Sequence, residues 1–281
     1  MKFTKMHGCG NDYIYINGSL EQIPQEKKPE LVRMLSDRHF GVGGDGVIFI
    51  NPSEEALFEM EMYNGDGSRG EMCGNGIRCV AKYVYDKGLT DQEAFDIISA
   101  GQVKHILLQT KDGKAVSARV NMGQPELTAE KIPVRSEKEC VVDEEITVQG
   151  EIYHMTCVSM GNPHAVVFVE DVQNLQIENV GPYFERHERF PKRINTEFVH
   201  VNSRDSIDMR VWERGAGETL ACGTGCCASV AACVLNGLTD RKVTVHVPGG
   251  AILIEWDQQD DSMYMTGPAV TVFEGEIDVR F

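Results

Sequence analysis

Two cysteines, Cys73 and Cys222, stand 149 residues apart in segments of the same pattern. The first reads Tyr63-Asn64-Gly65-Asp66-Gly67-Ser68, then Met72-Cys73-Gly74-Asn75-Gly76. The second reads Trp212-Glu213-Arg214-Gly215-Ala216-Gly217, then Ala221-Cys222-Gly223-Thr224-Gly225. Aligned without a gap, 7 of the 19 positions from Cys73 to Asp91 match their counterparts, and Gly88-Leu89-Thr90-Asp91 falls on Gly237-Leu238-Thr239-Asp240. Either cysteine alone is best read as a small inert hydrophobe. The matched pair reads differently, because two thiols on two copies of one fold can face each other. One sulfur then takes a proton from a carbon and the other delivers one to the opposite face, which inverts the centre.

Each cysteine falls where a loop ends and a helix is expected to begin. Unpaired N–H groups and the helix dipole favour an anion there, so each thiol is expected to have a lowered pKa. The amides of Gly74, Asn75, Gly223 and Thr224 could grip a carboxylate and stabilise an enolate-like carbanion. Glu213 could receive an ammonium and Arg214 a carboxylate; the alternative for both is a solvated loop charge. His164 either tunes a thiol or is a satisfied core histidine. Cys79, Cys140, Cys157, Cys226, Cys227 and Cys233 are expected to be buried and inert, and Cys9, beside Asn11, to be packing. No CxxC is present and Cys222, Cys226 and Cys227 lack a spaced histidine, so no metal is expected. The run Gly41-Val42-Gly43-Gly44-Asp45-Gly46 has the wrong spacing for a dinucleotide loop and reads as a tight structural loop.

The elements that must carry these groups repeat as well. Phe58–Tyr63 alternates apolar and acidic residues as a half-buried strand does, and Ile77–Lys87 suits a helix stopped by Gly88. Ile207–Trp212 and Gly225–Asn236 repeat the order, the second helix being apolar nearly all round and hence buried. Gly10-Asn11 and Gly161-Asn162 each precede an apolar strand. Short helices are expected near Glu30–Asp37 and Val180–Glu188. The fold class is therefore α+β: two similar strand-rich domains, each around a central buried helix and related by pseudo-twofold symmetry. The boundary falls near the closing Gly123-Gln124-Pro125, giving 1–122 and 123–267.

With 281 residues, 42% hydrophobic and 25% charged, the chain has the composition of a soluble globular protein. A formal charge of −16 argues against a nucleic-acid partner. The richest apolar stretch, Cys226–Leu235, is too short to span a bilayer, and no signal peptide is expected. Nine cysteines, an odd number, point to free thiols in a reducing cytoplasm.

Taken together, Met72-Cys73-Gly74-Asn75-Gly76-Ile77-Arg78-Cys79 and Ala221-Cys222-Gly223-Thr224-Gly225 resemble the two signature blocks of the diaminopimelate epimerases. Gly10-Asn11-Asp12, Asn64-Gly65-Asp66-Gly67-Ser68, Gly161-Asn162-Pro163-His164 and Trp212-Glu213-Arg214-Gly215 do so too, and the likeness runs essentially to Gly267-Pro268. The resemblance implies a cofactor-independent isomerase, a homodimer, that interconverts LL- and meso-2,6-diaminopimelate in lysine and peptidoglycan precursor synthesis. It implies Cys73 as donor and Cys222 as acceptor when the LL-substrate is consumed. By the same likeness Asn11, Asn64, Asn162, Asn195 and Arg214 hold the distal amino-acid end, and Gly74, Asn75, Gly223 and Thr224 hold the reacting carboxylate. Glu213 takes the reacting ammonium, and His164 and Glu213 adjust the thiol pair. It further implies a site in the cleft between domains, loops 65–72 and 214–221 closing over substrate, and the C-terminal strand 268–281 completing the first domain. Some members carry Gln at the position of Gly46, which has no side chain to replace it. Two other readings stand beside this one: a proline or hydroxyproline racemase, and a non-catalytic amino-acid-binding or thiol-redox protein.

Overall fold

The computed structural model describes residues 1–70 and 72–279. Glu71 of the expected 65–72 loop, and Arg280 and Phe281 of the expected 268–281 segment, lie outside the described residues. The chain divides into two compact units, Met1–Val120 with the segment from Thr266 onward, and Asn121–Met265.

The elements in chain order begin with β1 (Lys2–Gly8), β2 (Asn11–Asn17), α1 (Lys28–Ser36), β3 (Gly46–Pro52) and β4 (Phe58–Asn64). Then come α2 (Gly74–Asp86), β5 (Ala94–Ser99), β6 (Gln102–Lys111) and β7 (Lys114–Gly123). The second half holds β8 (Glu144–Val148), β9 (Glu151–Ser159), β10 (Pro163–Phe168), α3 (Ile177–Glu185), β11 (Asn195–Ser203) and β12 (Ser206–Glu213). It continues with β13 (Gly217–Thr219), α4 (Gly223–Leu235), β14 (Lys242–Val247), β15 (Gly250–Trp256), β16 (Met263–Pro268) and β17 (Val270–Glu276).

Both units use one wiring. In the first, β1–β2 is antiparallel, β2–β3 parallel, β3–β4 antiparallel, β4–β5 parallel and β5–β6 antiparallel. In the second the same series is β9–β10, β10–β11, β11–β12, β12–β14 and β14–β15. The parallel steps need crossovers, supplied by α1 and α2 in one unit and by α3 and α4 in the other. Each outer strand is flanked by one more antiparallel partner, β17 on β1 and β8 on β9. The chain is thus the strand-rich α+β fold of two similar halves that its repeats imply.

Packing follows the same plan with different side chains. The first core joins Ile14, Ile16, Leu31, Leu35, Val47 and Phe49 beneath α1. The second places Phe184 of α3 edge-on to Tyr153 and Phe198, with ring centroids 5.2 and 5.6 Å apart. Burying each such ring contributes roughly 1.5–3 kcal/mol. Helix α4 is buried on every residue from Gly223 to Cys233, whereas α2 leaves Lys82, Tyr83 and Tyr85 half-exposed. One thiol is misplaced by the sequence reading: Cys140 is exposed, while Cys9, Cys79, Cys157, Cys226, Cys227 and Cys233 are buried. Among the described residues, no helix is long and apolar enough to cross a membrane.

Candidate active site

Both helices start earlier than their sequence suggests, at Gly74 and Gly223 rather than at Ile77 and Gly225. Glycine and asparagine are poor helix formers, so the first turn has no propensity signal. What fixes it is the cysteine. Cys73 and Cys222 are the N-caps, extended at φ −122°, ψ 105° and φ −119°, ψ 110°, and each sulfur accepts the N–H three residues on. Those N–H···S distances are 3.2 Å from Gly76 and 3.4 Å from Gly225. A capping oxygen normally plays this part. Each sulfur therefore lies at the positive end of a helix, among the N–H groups of Gly74 and Asn75 or of Gly223 and Thr224.

Around Cys73 the neighbours are amides and phenols. Its thiol donates to Asn11 Oδ1 at 3.2 Å. The Asn11 Nδ2 group donates to Asp45 Oδ2 at 2.7 Å, and Arg38 holds Asp45 at 2.8 Å. The Tyr13 phenol engages both Asn11 and Cys73, and burial pushes its ionisation up. Asn75 is buried; its Oδ1 accepts from Arg78 at 2.9 Å and its Nδ2 donates to Asn11 Oδ1 at 3.4 Å. Asn64, at the end of β4, donates to Ser68 Oγ at 3.0 Å within its own loop. At Gly46 a Cβ would lie 2.0 Å from the Tyr63 carbonyl oxygen, so this backbone admits no side chain there.

Around Cys222 the neighbours are charged. Burial raises its pKa well above the usual thiol value, and the carboxylates of Glu213 and Glu197 add to the rise. The Thr224 hydroxyl and the Gly225 N–H pull the other way and lose. The expectation of an acidified thiol at the helix start is overturned here: desolvation and two carboxylates outweigh one capping N–H. Glu213 accepts from Thr219 Oγ1 at 2.5 Å. His164 and Glu197 are both fully buried and meet at 2.7 Å through Nδ1, which must carry the proton facing a carboxylate. The other ring nitrogen meets Asn162 Oδ1 at 3.0 Å. Asn195 is buried as a clamp, donating to the Pro163 carbonyl and accepting the Arg214 N–H, both at 2.8 Å. The Arg214 guanidinium donates to the Lys192 carbonyl at 3.2 Å.

Asn11, Gly74 and Asn75 thus gather at Cys73, with Asn64 at the head of the loop that leads to it. His164, Glu213, Gly223 and Thr224 gather at Cys222, and Asn162 and Asn195 are linked to them through His164 and the β10–β11 pairing. Sequence reasoning missed Tyr13, Asp45 and Glu197. Glu197 lies in the apolar stretch Phe198-Val199 of β11, and an acid at an inward strand position was the signal available. Asp45 was hidden in a glycine-rich run read for its backbone.

The fold is one shared with solved structures at low sequence identity. It resembles a hydroxyproline epimerase from Agrobacterium vitis, with a TM-score of 0.69 and 13% identity over 99% of this chain and 90% of that one. The family model described as diaminopimelate epimerase matches residues 3–128 and 156–272, and the chain belongs to that family. The diaminopimelate epimerase of Methanococcus maripaludis strain C5 is 54% identical over 279 residues, covering 99% of this chain and 100% of the relative. That of Acetivibrio thermocellus is 53% identical over 280 residues, covering 100% and 99%. The chain is an isomerase of the epimerase type.

Proposed function

We propose that this protein interconverts LL- and meso-2,6-diaminopimelate by proton transfer at one α-carbon, with Cys73 and Cys222 as the acid and base and without a cofactor. The observation that carries the reading is that two thiols cap two helices at equivalent places in two equivalent units. In this mechanism one sulfur, as thiolate, removes the α-proton and the other, as thiol, protonates the opposite face; the roles exchange with direction. Gly74, Asn75, Gly223 and Thr224 offer N–H groups to the carboxylate on which charge develops. Glu213 receives the reacting ammonium, and Asn11, Asn64, Asn162, Asn195 and Arg214 hold the distal amino-acid end. The raised Cys222 pKa fits this scheme, since an ammonium beside Glu213 would offset the charge that keeps the thiol protonated.

Asn75 in place of histidine, and Arg214 for a second carboxylate, favour an acyclic diamino diacid over proline. We also assign the enzyme to a reducing compartment, where its nine cysteines stay free thiols, and to a homodimer. Incubation with LL-diaminopimelate in deuterated water tests the function. Deuterium at the α-carbon together with the meso product is expected. Label entering proline and not diaminopimelate would transfer the protein to the racemases, and no exchange into either would remove it from the enzymes.

A further inference from the structure

Asp45 belongs to a glycine-rich run that the mechanism leaves unused, and its place is tightly built. Its backbone N–H donates to the Asp12 carbonyl and its carbonyl accepts the Gly65 N–H, both at 2.8 Å. The main chain at Asp45 therefore ties the start of β2 to the loop after β4 and aims the carboxylate at Asn11. Arg38 bridges Asp45 and Asp12 at 2.8 and 2.7 Å, and the Asp12 N–H donates to Asp45 Oδ2 at 3.1 Å.

A carboxylate can only accept hydrogen bonds, so the Asn11 atom that faces it must be the NH₂ group. The amide oxygen is then forced toward Cys73, 3.2 Å from the sulfur. An acceptor beside a sulfur is satisfied by S–H and repelled by S⁻. We propose that Asp45 is a positioning residue that locks the Asn11 amide with its oxygen toward Cys73, and so holds this thiol in its proton-donating form until substrate is bound. The opposing influence within the same unit is the Gly76 N–H, which favours the thiolate. Tyr13 and Tyr15 of β2 and Cys79 of α2 also feel the Cys73 charge. Among the described residues, the charged groups placed around Asn11 and Asn75 are Asp45, with Asp12, Arg38 and Lys5 behind it, and Arg78 on the Asn75 side. The Asn75 NH₂, turned by Arg78, donates to Asn11 Oδ1 at 3.4 Å and supports the same orientation, but the 2.7 Å bond to Asp45 is the shorter constraint on which end of Asn11 meets the sulfur. With Asn at position 45 the shorter constraint is lost, because an amide can present either end, and Asn11 turns its NH₂ toward a thiolate at the cost of the 3.4 Å Asn75 contact.

The inference gives the proposed donor thiol its protonation state, and it is measured without substrate. Iodoacetamide labelling of the substrate-free protein across neutral and alkaline pH, read by mass spectrometry of the Cys73 and Cys222 peptides, follows each thiol separately. In Asp45→Asn the Cys73 profile should move about half to one pH unit toward acid, or roughly three- to tenfold faster labelling at neutral pH. The Cys222 profile should stay in place, and Asp45→Glu should restore the wild-type Cys73 curve. Asn11→Ala, which removes the acceptor itself, should move Cys73 in the same direction and make the Asp45→Asn change silent on that background. An unmoved Cys73 profile in both variants overturns the proposal, as does a joint shift of both thiols, which would report general loosening. A shifted profile in a protein that fails to epimerise would keep this inference and remove the functional one.

Discussion

The seats of Cys73 and Cys222 are alike in backbone and opposite in what lies beneath. A Cβ added at Gly76 would meet Ile48 Cδ1 at 2.7 Å; added at Gly225, it would meet Glu197 Oε1 at 2.6 Å. Ile48 and Glu197 are themselves 149 residues apart, the spacing of the two cysteines, so they occupy one structural position. The first thiol thus rests over hydrocarbon and the second over a buried carboxylate paired with His164. Arg78, fully buried and bound to Gly74 and Asn75, likewise stands where the second unit has Cys227. The lesson is that two equal N-caps can sit in unequal environments when the strand beneath each helix carries a different side chain. The two proposed acid/base groups therefore sit in unlike surroundings, one over an apolar side chain and one over a carboxylate.

The largest effect breaks the equivalence at its centre. Replacing Cys73 or Cys222 by Ala should cut net epimerisation by about 10³-fold or more, since in the proposed mechanism each is one half of the proton transfer. Cys227→Ala, a thiol one turn along α4, should stay within a fewfold. Progress curves by chiral chromatography check this, and equal losses at all three would refute the assignment.

Next comes a buried carboxylate that stands where the second unit has Arg210. Glu61 is buried and its pKa is held down to about 2: burial opposes this, but hydrogen bonds from Lys28, Asn51 and Gln25 prevail. A depressed carboxylate pKa stabilises the fold above the unfolded value near 4.3 and loses that contribution as pH falls toward 2. Up to about 3 kcal/mol is involved. Glu61→Gln should therefore be less stable than wild type at neutral pH, with the gap closing as the pH falls toward 3. Urea unfolding at both pH values reads it, and a constant gap would exclude the linkage.

Much of this was legible in the sequence, for reasons that differ by region. The repeat revealed the two units because glycines at turns and the Cys-Gly-x-Gly blocks hold fixed offsets, and α4 declared its burial by being apolar all round. The helix starts were invisible because their capping atom is sulfur and their first residues are weak helix formers. The charge state of Cys222 was unreadable for another reason. It depends first on burial and on Glu213, and then on Glu197, which β11 brings under the helix with no local pattern to tie it to Cys222. Cys140 shows the converse error, a composition rule applied to a residue that the fold leaves at the surface.

Glu197→Gln sharpens the contrast between the seats directly. It keeps the shape under Gly225 and removes one of the two charges that raise the Cys222 pKa. Removing a negative charge favours the thiolate, so alkylation of Cys222 should shift toward acid by about one pH unit. Cys73, over Ile48, should not respond. If Cys222 stays in place, burial and Glu213 alone set its value and the inequality lies elsewhere.

The smallest effect concerns the hairpins that lead into the two cysteines. In the first, Glu61 on the strand meets Arg69 on the loop at 2.5 Å; in the second, Arg210 on the strand meets Glu218 at 2.7 Å. The cross-strand pairs are equivalent, Tyr63 with Arg69 and Trp212 with Glu218, so the ion pair is the same with its charges exchanged. In both, the strand partner is the more buried and has other bonds, Lys28 on Glu61 and the Val172 and Leu175 carbonyls on Arg210. Their partners, Arg69 and Glu218 of β13, are more exposed, 46% and 34%, where solvent screens most of the attraction. Arg69→Gln and Glu218→Gln should each cost only about 0.5–1 kcal/mol by urea unfolding, and by similar amounts. A cost above about 2 kcal/mol in one hairpin alone would mean that its exposed charge holds the loop, and that the exchange of charges was not neutral.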